Sequence, residues 1–197
     1  MSNWIINGIF LNNRITGIER VAIGMTQQLD LLSKKGEITL VIPPNAPQTN
    51  LNLHNILIKR LPKTPFLALK NVKLSIYMFF GRHNCIDYTN HIPFFGKNIV
   101  FLHDIYYKTC PQDFISKQDK KEMNKMCRRY KRICKKAKVI CTVSEFSKTQ
   151  IVEHYGIPEN KVHVIYNSVE YMDSIKADYT VFQKYPQLKE NQFFQEL

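Results

Sequence analysis

Three short groups of polar residues follow apolar runs in this sequence and could contact a ligand. They are Thr16-Gly17, His103-Asp104 and Ser144. A glycine at the start of a helix leaves backbone N–H groups open to an anion such as phosphate. A neutral imidazole can accept a hydrogen bond from a hydroxyl, and a protonated one can stabilise a phosphate. The residue types at these three places therefore fit a ligand that carries hydroxyl and phosphate groups.

Each group also has a plainer interpretation. Gly17 fits a tight turn, and a histidine at the end of a strand is often a polar loop residue. The three groups are far apart in the sequence, so they can form one site only if the fold brings them together. In an open parallel sheet, ligands bind outside the carboxyl ends of the strands. If the apolar runs form one such sheet, the three groups meet at a single edge.

Residues 138–169 contain the clearest structural pattern in the chain. Val139–Val143 is a β-branched run that predicts a buried strand. Ser144 is a helix N-cap, and Gly156 ends the predicted helix as its C-terminal glycine. Val162–Ile165 predicts a second strand. Strand, helix and strand together have the length of a βαβ unit, whose crossover should be right-handed with the two strands parallel.

The rest of the chain repeats this alternation. A capping box of Thr16 and Glu19 begins a helix that continues towards Gly36. Further strands are predicted at Trp4–Ile6, Ile38–Ile42, Asn55–Arg60, Cys85–Thr89 and Ile99–Leu102, and further helices at 65–80, 119–137 and 178–185. The pattern predicts an α/β fold, a Rossmann-like three-layer domain with a mainly parallel sheet.

The positive charge of the protein is concentrated in one segment. Residues 117–138 hold eleven of the 28 Lys and Arg residues, and with Asp119 and Glu122 they carry nine of the twelve net positive charges. Such an excess indicates an anionic partner. One interpretation is a solvated helix face; the other is a membrane-facing patch of Arg128, Arg129, Lys131 and Arg132 that attracts anionic lipid. Nucleic acid is disfavoured, because Tyr130 is the one aromatic residue in the basic stretch.

Composition excludes several classes of protein. No stretch approaches the ~20 apolar residues of a membrane span, and the first residues lack the basic region of a signal peptide. The five cysteines are odd in number and form no C-x-x-C pair, which indicates free thiols in a reducing cytosol. The seven-residue spacing of Cys127, Cys134 and Cys141 fits a helix face better than a metal site. We expect a cytoplasmic protein without a bound metal, peripheral on the inner face of the cell membrane if the basic patch binds lipid.

Two segments resemble a known family. Residues 142–169, TVSEFSKTQIVEHYGIPENKVHVIYNSV, resemble the end of the N-terminal domain of GT-B glycosyltransferases of the retaining family 4. Residues 6–21, INGIFLNNRITGIERV, resemble the opening of bacterial members, although the Gly-Gly pair of many members is absent. The alternative is that residues 142–169 are the βαβ unit of any Rossmann-like protein.

The resemblance implies roles for particular residues. His103 would lie beside the transferred sugar, and this role is carried over to His103 only. Asp104, the next residue, is the second catalytic candidate. The substrate-binding candidates are Arg14, Thr16, Gly17, Ser144 and Asn167. Transfer in the family retains configuration, needs no bound metal, and uses a nucleotide-sugar donor as substrate rather than a cofactor. The donor-binding residues, an Arg and Lys pair and a Glu-x7-Glu motif, belong to a second domain for which this chain has no room.

The resemblance therefore implies half of an enzyme. Residues 1–170 would be the acceptor-side domain, and residues 171–197 a truncated interdomain linker whose end, with Phe193 and Phe194, is expected to be poorly ordered. The expected function is the N-terminal half of a glycosyltransferase acting on a polysaccharide or lipid-linked acceptor, inactive alone. The alternative is a non-catalytic remnant or binding module that needs a separate C-terminal partner. A nucleotide-binding α/β protein of another family would require a donor pocket within these residues.

Overall fold

A computed structural model describes residues 4–47, 51–62, 74, 76–77, 80, 83–93, 96–168, 176 and 179–186. The chain divides into two units, Met1–Asn167 and Ser168–Leu197. Every candidate site residue lies in the first unit. The predicted loose tail, residues 187–197 with Phe193 and Phe194, lies outside the described residues.

The first unit is built on a seven-stranded sheet with the order β3-β2-β1-β4-β5-β6-β7. The strands are β1 (Trp4–Asn7), β2 (Ile38–Ile42), β3 (Leu57–Arg60), β4 (Asn84–Asp87), β5 (Asn98–Phe101), β6 (Val139–Thr142) and β7 (Val162–Val164). All six neighbouring pairs are parallel. The predicted α/β fold with a mainly parallel sheet is therefore confirmed.

Helices connect these parallel strands. They are α1 (Gly17–Leu32), α2 (Tyr106–Thr109), α3 (Lys117–Lys136) and α4 (Glu145–Tyr155), and the second unit contains α5 (Thr180–Lys184). The predicted βαβ unit is present as β6, α4 and β7. The α4 helix ends at Gly156, which has the left-handed backbone (φ 59°) that a glycine adopts without strain.

The order of the strands reverses beside β1. From β1 the chain moves outward to β2 and β3, and it then returns to place β4 on the other side of β1. The carboxyl ends of β1 and β4 thus flank a topological switch point, where ligands of open α/β sheets bind. Helix α1 follows β1 and begins at this edge, as does the loop after β4.

Both faces of the sheet are covered by apolar side chains, because successive strand residues point to opposite faces. On one face Ile6, Leu40 and Ile86 pack with Ala22 of α1. On the other face β5 and β6 pack against α3 and α4, in a cluster that includes Val100, Leu102, Ile133, Ile140 and Ile151. The sheet is therefore the middle of three layers.

Strands β3 and β4 are shorter than predicted because side chains take up backbone donors at one end of each. The strand predicted to begin at Asn55 begins at Leu57, since the N–H groups of Asn55 and Ile56 bind the Asp30 carboxylate at 2.8 and 2.7 Å. The strand predicted to reach Thr89 ends at Asp87. The N–H of Thr89 turns back to Asp87 Oδ1 at 2.8 Å.

Other boundaries differ for equally local reasons. Helix α3 begins at Lys117 rather than at residue 119, because Ser116 caps it: the Ser116 hydroxyl accepts from Asp119 N at 3.0 Å, and the Asp119 carboxylate accepts from Ser116 N at 3.2 Å. Most of the helix predicted at 65–80 lies outside the described residues, although its described members Leu74, Ile76, Tyr77 and Phe80 are helical. The four-residue α2 was not predicted.

Candidate functional site

The start of α1 has the predicted capping box. The buried Glu19 carboxylate accepts hydrogen bonds from Thr16 N at 3.1 Å and from Asn13 Nδ2 at 3.0 Å, and it also bonds the Thr16 hydroxyl. Burial acts to raise the pKa of Glu19, but these hydrogen bonds outweigh it and hold the pKa below its usual value. Glu19 therefore stays ionised and fixes the loop that carries Arg14. Arg14 itself is exposed.

Two glycines in this region have different surroundings. A Cβ atom on Gly8, which follows β1 directly, would lie 2.8 Å from the Val41 carbonyl oxygen and 2.9 Å from Ile42 Cγ2. Gly8 is thus required by packing. A Cβ atom on Gly17 would meet nothing within 4 Å. The space beside the first residue of α1 is open, which is what a ligand at this helix start would need.

His103 lies at the carboxyl end of β5, where it is buried with 8% of its surface exposed. Its Nε2 is 3.0 Å from the Tyr88 carbonyl oxygen, so Nε2 carries the proton and donates it there. The Thr142 hydroxyl donates to the His103 carbonyl at 3.3 Å. These contacts tie His103 to the ends of β4 and β6. Within the described part of the chain, Nδ1 makes no hydrogen bond, and in the neutral ring it is an acceptor.

Asp104, the predicted catalytic neighbour, is exposed and has a structural contact. Its Oδ1 accepts from Tyr106 N at 2.9 Å at the start of α2. The structure therefore shows a carboxylate that supports the loop after β5, and its proposed catalytic role stays a prediction.

Ser144 and Asn167 stand at the same edge, after β6 and β7. The Ser144 hydroxyl accepts from Ser147 N at 3.1 Å, which confirms the predicted N-cap of α4. Asn167 is exposed and is the last residue of the first unit. The sheet thus brings all the sequence-predicted groups to its carboxyl edge, while the described hydrogen bonds join His103 to its neighbouring strands rather than to Thr16 or Ser144.

A buried pair at the switch point was not predicted as part of the site. Asn7, the last residue of β1, donates its side-chain amide to Asp87 Oδ2 at the end of β4. Asp87 is completely buried, and burial raises the pKa of its carboxyl group. The sequence signal was a polar residue directly after each apolar run, at Asn7 and at Asp87, but their pairing depends on the strand order.

Asp87 also shapes the loop that follows β4. Its Oδ1 accepts from Thr89 N and from His91 N, both at 2.8 Å. The backbone between these two donors turns through Asn90, which has a left-handed conformation (φ 59°). The Asn90 side chain is buried, and its Oδ1 has no hydrogen-bond partner. An unpaired buried amide oxygen is costly, so this atom is a candidate for a ligand contact.

The three arginines of the basic helix α3 line a pocket together with this loop. Arg132 is half-buried and donates from a guanidinium nitrogen to the Ile92 carbonyl at 2.8 Å. Burial lowers the pKa of Arg132. Together with Arg128 and Arg129, it lines a pocket of about 200 Å³ whose other wall is Asn90–Ile92. Three of the four residues predicted to face a membrane therefore line this pocket, while Lys131 is exposed.

The described residues show neither a metal centre nor a membrane span. They include no group of three or more His, Cys, Asp or Glu side chains arranged to hold a metal ion. In the same part of the chain, no helix combines the length and the apolar character needed to cross a membrane. The chemistry available at the carboxyl edge is hydrogen bonding by His103 and Asn90 and charge stabilisation by the arginines.

Comparison with known protein families gives a match over most of the chain. The family model described as Glycosyltransferase Family 4 matches residues 15–171. The O-antigen chain mannosyltransferase RfbU of Salmonella typhimurium is 32% identical over 104 residues, which are 52% of this chain and 28% of that protein. The match thus covers little more than a quarter of that relative.

Solved structures are similar over nearly the whole chain. Anabaena Alr3699/HepE in complex with UDP and glucose has a TM-score of 0.54 at 14% identity, and the match covers 96% of this chain and 50% of that one. The same protein in complex with UDP-glucose has a TM-score of 0.53 at 14% identity, with 94% and 49% covered. At this identity the likeness concerns the fold. The chain spans about half the length of these structures.

Proposed function

Because the chain belongs to glycosyltransferase family 4, we propose that it is the acceptor-binding half of an enzyme that transfers a sugar from a nucleotide-sugar to a polysaccharide or lipid-linked acceptor. The names of the similar proteins support this proposal, since one is an O-antigen chain mannosyltransferase and another binds UDP-glucose. Acceptor recognition would take place at the carboxyl edge of the sheet, around the switch point between β1 and β4.

The orientation of His103 is the observation that carries the proposal. The hydrogen bond from Nε2 to the Tyr88 carbonyl fixes which nitrogen holds the proton. Nδ1 is then the acceptor of the neutral ring, suited to a sugar hydroxyl. Because His103 is buried and tied to the ends of β4 and β6, its ring is held in place before a substrate binds. Such preorganisation is what electrostatic stabilisation of a transition state requires.

The donor would be held mainly by groups outside this chain. In our proposal a second domain or polypeptide supplies the nucleotide pocket and closes over the carboxyl edge. Large apolar side chains are exposed on the loops and helix starts of this edge, including Ile15, Tyr106, Phe146 and Tyr166. These residues would contribute to the contact surface for such a partner, because covering exposed apolar side chains removes them from water.

The basic helix α3 supports a peripheral membrane location within this proposal. Its lysines and arginines are mostly exposed, and each cation near an anionic leaflet contributes ~1 kcal/mol of attraction. We infer that α3 lies along the surface of the cytoplasmic leaflet without inserting, since its apolar residues Tyr130, Ile133 and Cys134 are buried in the core.

The experiment measures incorporation of labelled sugar from UDP-glucose or GDP-mannose into a membrane extract that contains lipid-linked acceptors. The chain is assayed alone and together with a polypeptide that carries the donor-binding domain. We expect incorporation in the mixture and none with the chain alone. His103→Ala should abolish it, whereas His163→Ala, at an exposed histidine of β7, should leave it unchanged.

The outcomes separate the proposal from its alternatives. Incorporation that survives His103→Ala would exclude the assigned role. Steady release of nucleoside diphosphate by the chain alone would place a donor pocket within these residues and contradict the half-enzyme proposal. Acceptor binding without any transfer in the mixture would favour the non-catalytic binding module.

A further inference from the structure

We propose that the arginine pocket, formed by Asn90–Ile92 and by Arg128, Arg129 and Arg132 of α3, binds a phosphate group that carries a hydroxyl-bearing ring. The ligand would be a sugar phosphate or the headgroup of a polyol phospholipid. This inference rests on the proposed function only in identifying the ligand as the acceptor. The binding itself needs no donor and no second domain.

The charge of the pocket indicates an anion. Its lining contains three guanidinium groups and no carboxylate. Neither Arg128 nor Arg129 takes part in a salt bridge among the described residues. Arginine presents a planar set of N–H donors that matches phosphate oxygens in pairs. Three such groups on one helix, at positions i, i+1 and i+4, would surround a single phosphate.

One arginine is already held in place. Arg132 is half-buried, and its guanidinium donates to the Ile92 carbonyl at 2.8 Å. This bond joins the helix to the opposite wall of the pocket, so the cavity does not have to form when the ligand arrives. A preformed site avoids part of the entropy cost of binding.

Asn90 gives the second, independent indication. Its side chain is buried with 9% of its surface exposed, and its Oδ1 has no hydrogen-bond partner. A carbonyl oxygen requires a donor, and a phosphate that lacks its proton does not provide one. Asn90 lines the pocket, and a rotation of its side chain would bring Oδ1 to a hydroxyl group next to the phosphate. The ligand is therefore expected to combine an anionic group with a hydroxyl.

The volume limits the size of the ligand. The pocket holds about 200 Å³, below the ~300–1,000 Å³ of sites that enclose drug-sized molecules. A complete nucleotide-sugar would not fit. The pocket can hold a phosphate group and part of one sugar ring. The rest of an acceptor would extend into solvent or into a lipid surface.

The test measures binding of inorganic phosphate and glucose 1-phosphate to the full chain by isothermal titration calorimetry. Arg128→Gln/Arg129→Gln should weaken both ligands by roughly tenfold or more, the cost of losing hydrogen bonds between charged groups. The matched control is Lys120→Gln/Lys121→Gln, at exposed positions of the same helix with the same change in net charge. The control should bind both ligands as the unchanged chain does.

A second variant tests the hydroxyl contact. Asn90→Gly keeps the left-handed backbone, because glycine adopts it freely, and removes the amide. We expect glucose 1-phosphate to bind about fivefold more weakly, the value of one hydrogen bond, and inorganic phosphate to be unaffected. Equal weakening of the two ligands would overturn the assignment of Asn90, and circular dichroism would verify that the variant is folded.

Vesicles distinguish the two sources of the ligand. Phosphatidylinositol carries ring hydroxyls, and phosphatidylserine has the same net charge without them. Preferential binding to phosphatidylinositol that is lost in Arg128→Gln/Arg129→Gln would identify a lipid headgroup, and binding of glucose 1-phosphate with no such preference would identify a soluble sugar phosphate. If the arginine variant binds inorganic phosphate and glucose 1-phosphate as well as the unchanged chain does, or the lysine control binds these two ligands as weakly as the arginine variant, the pocket is not a phosphate site.

Discussion

Exchanging the two residues of the buried switch-point pair is the sharpest test of how the carboxyl edge is built. Asn7 donates to Asp87 Oδ2, and Asp87 Oδ1 holds the N–H groups of Thr89 and His91. The variants are Asn7→Asp, Asp87→Asn and the double exchange. Only the double exchange keeps one donor and one acceptor facing each other across β1 and β4.

The single changes have different costs. In Asp87→Asn the new amide can keep an oxygen towards Thr89 N and His91 N, but its NH₂ group then faces the NH₂ of Asn7. The Asn7 side chain cannot exchange the positions of its oxygen and its NH₂ group without losing a hydrogen bond, because its Oδ1 accepts from Ile9 N at 3.3 Å. One hydrogen bond to a charged group is lost, at about 2 kcal/mol. Asn7→Asp buries two adjacent carboxylates, and a buried charge without a partner costs about 3–5 kcal/mol.

The double exchange should recover most of that loss. A carboxylate at position 7 accepts from an amide at position 87 and still accepts from Ile9 N, while the amide oxygen at position 87 serves Thr89 and His91. We expect its free energy of unfolding to lie within about 1 kcal/mol of the unchanged chain. The deviation from additivity would then be several kcal/mol, far above the ~0.5 kcal/mol seen for independent sites.

Urea unfolding followed by tryptophan fluorescence measures these differences. Trp4 is the single tryptophan of the chain and begins β1, so it reports on the strand that carries Asn7. The slope of the unfolding free energy against urea should be the same in all four proteins, which verifies that the unfolding transition is comparable. A double exchange as unstable as the sum of its single changes would refute the pairing.

Further substitutions at Asp30 and Gly8, and the charge of helix α3, can be tested in the same way. Asp30→Asn should destabilise the chain by about 2–4 kcal/mol, whereas the exposed control Glu37→Gln should change its stability little. Hydrogen bonds depress the pKa of Asp30 despite its burial, so the stability difference should persist above pH ~4 and disappear as the pH falls through the folded-state pKa. A stability difference that does not depend on pH would contradict this prediction. Gly8→Ala should lower the thermal midpoint because of the 2.8 Å approach to a backbone carbonyl, whereas Gly17→Ala should not; equal midpoints would show that the packing at Gly8 is not limiting. Helix α3 should mediate binding to phosphatidylserine vesicles in a co-sedimentation assay. This binding should weaken as salt is added, because the Debye screening length falls to ~8 Å at physiological ionic strength. Equal binding to neutral vesicles would exclude the electrostatic account.

The elements that could be predicted from sequence are those marked by local residues. Ser144 and Gly156 bound helix α4 as expected, because capping and left-handed backbone are properties of single residues and their neighbours. The parallel sheet followed from the alternation of apolar runs with helices. The placement of Thr16, His103 and Ser144 at one edge followed in turn, since it needs only the direction of the strands.

The polar connections between strands could not be predicted in this way. Asn7 and Asp87 are separated by 80 residues, and their contact exists because β4 lies next to β1 in the sheet. The ends of β3 and β4 were misjudged for a related reason. The carboxylates of Asp30 and Asp87 compete with the sheet for backbone donors, and such competition depends on tertiary position.

The arginines of α3 illustrate the limit of a charge pattern. The sequence showed a basic helix, and it indicated equally well a solvated surface or a membrane patch. Which cations face a neighbour depends on how the helix is rotated against the sheet, and that rotation is set by the burial of Tyr130, Ile133 and Cys134. The same rotation places Arg132 against the Ile92 carbonyl. The three arginines therefore line a pocket, whereas the sequence had indicated a solvated helix face or a membrane-facing patch.

One short segment, Tyr88–Ile92, connects the parts of the proposed site. Its first carbonyl holds the His103 ring, its last carbonyl holds Arg132, and Asp87 fixes the backbone between them through Thr89 and His91. His103 and the arginine pocket therefore depend on the same buried carboxylate at the switch point. A change that loosens Asp87 should disturb the histidine and the pocket together, whereas removing Arg128 and Arg129 should weaken phosphate binding and leave the Tyr88 contact intact. The two changes should differ in this way because the sheet positions the loop, and the loop in turn positions the side chains that would contact the ligand.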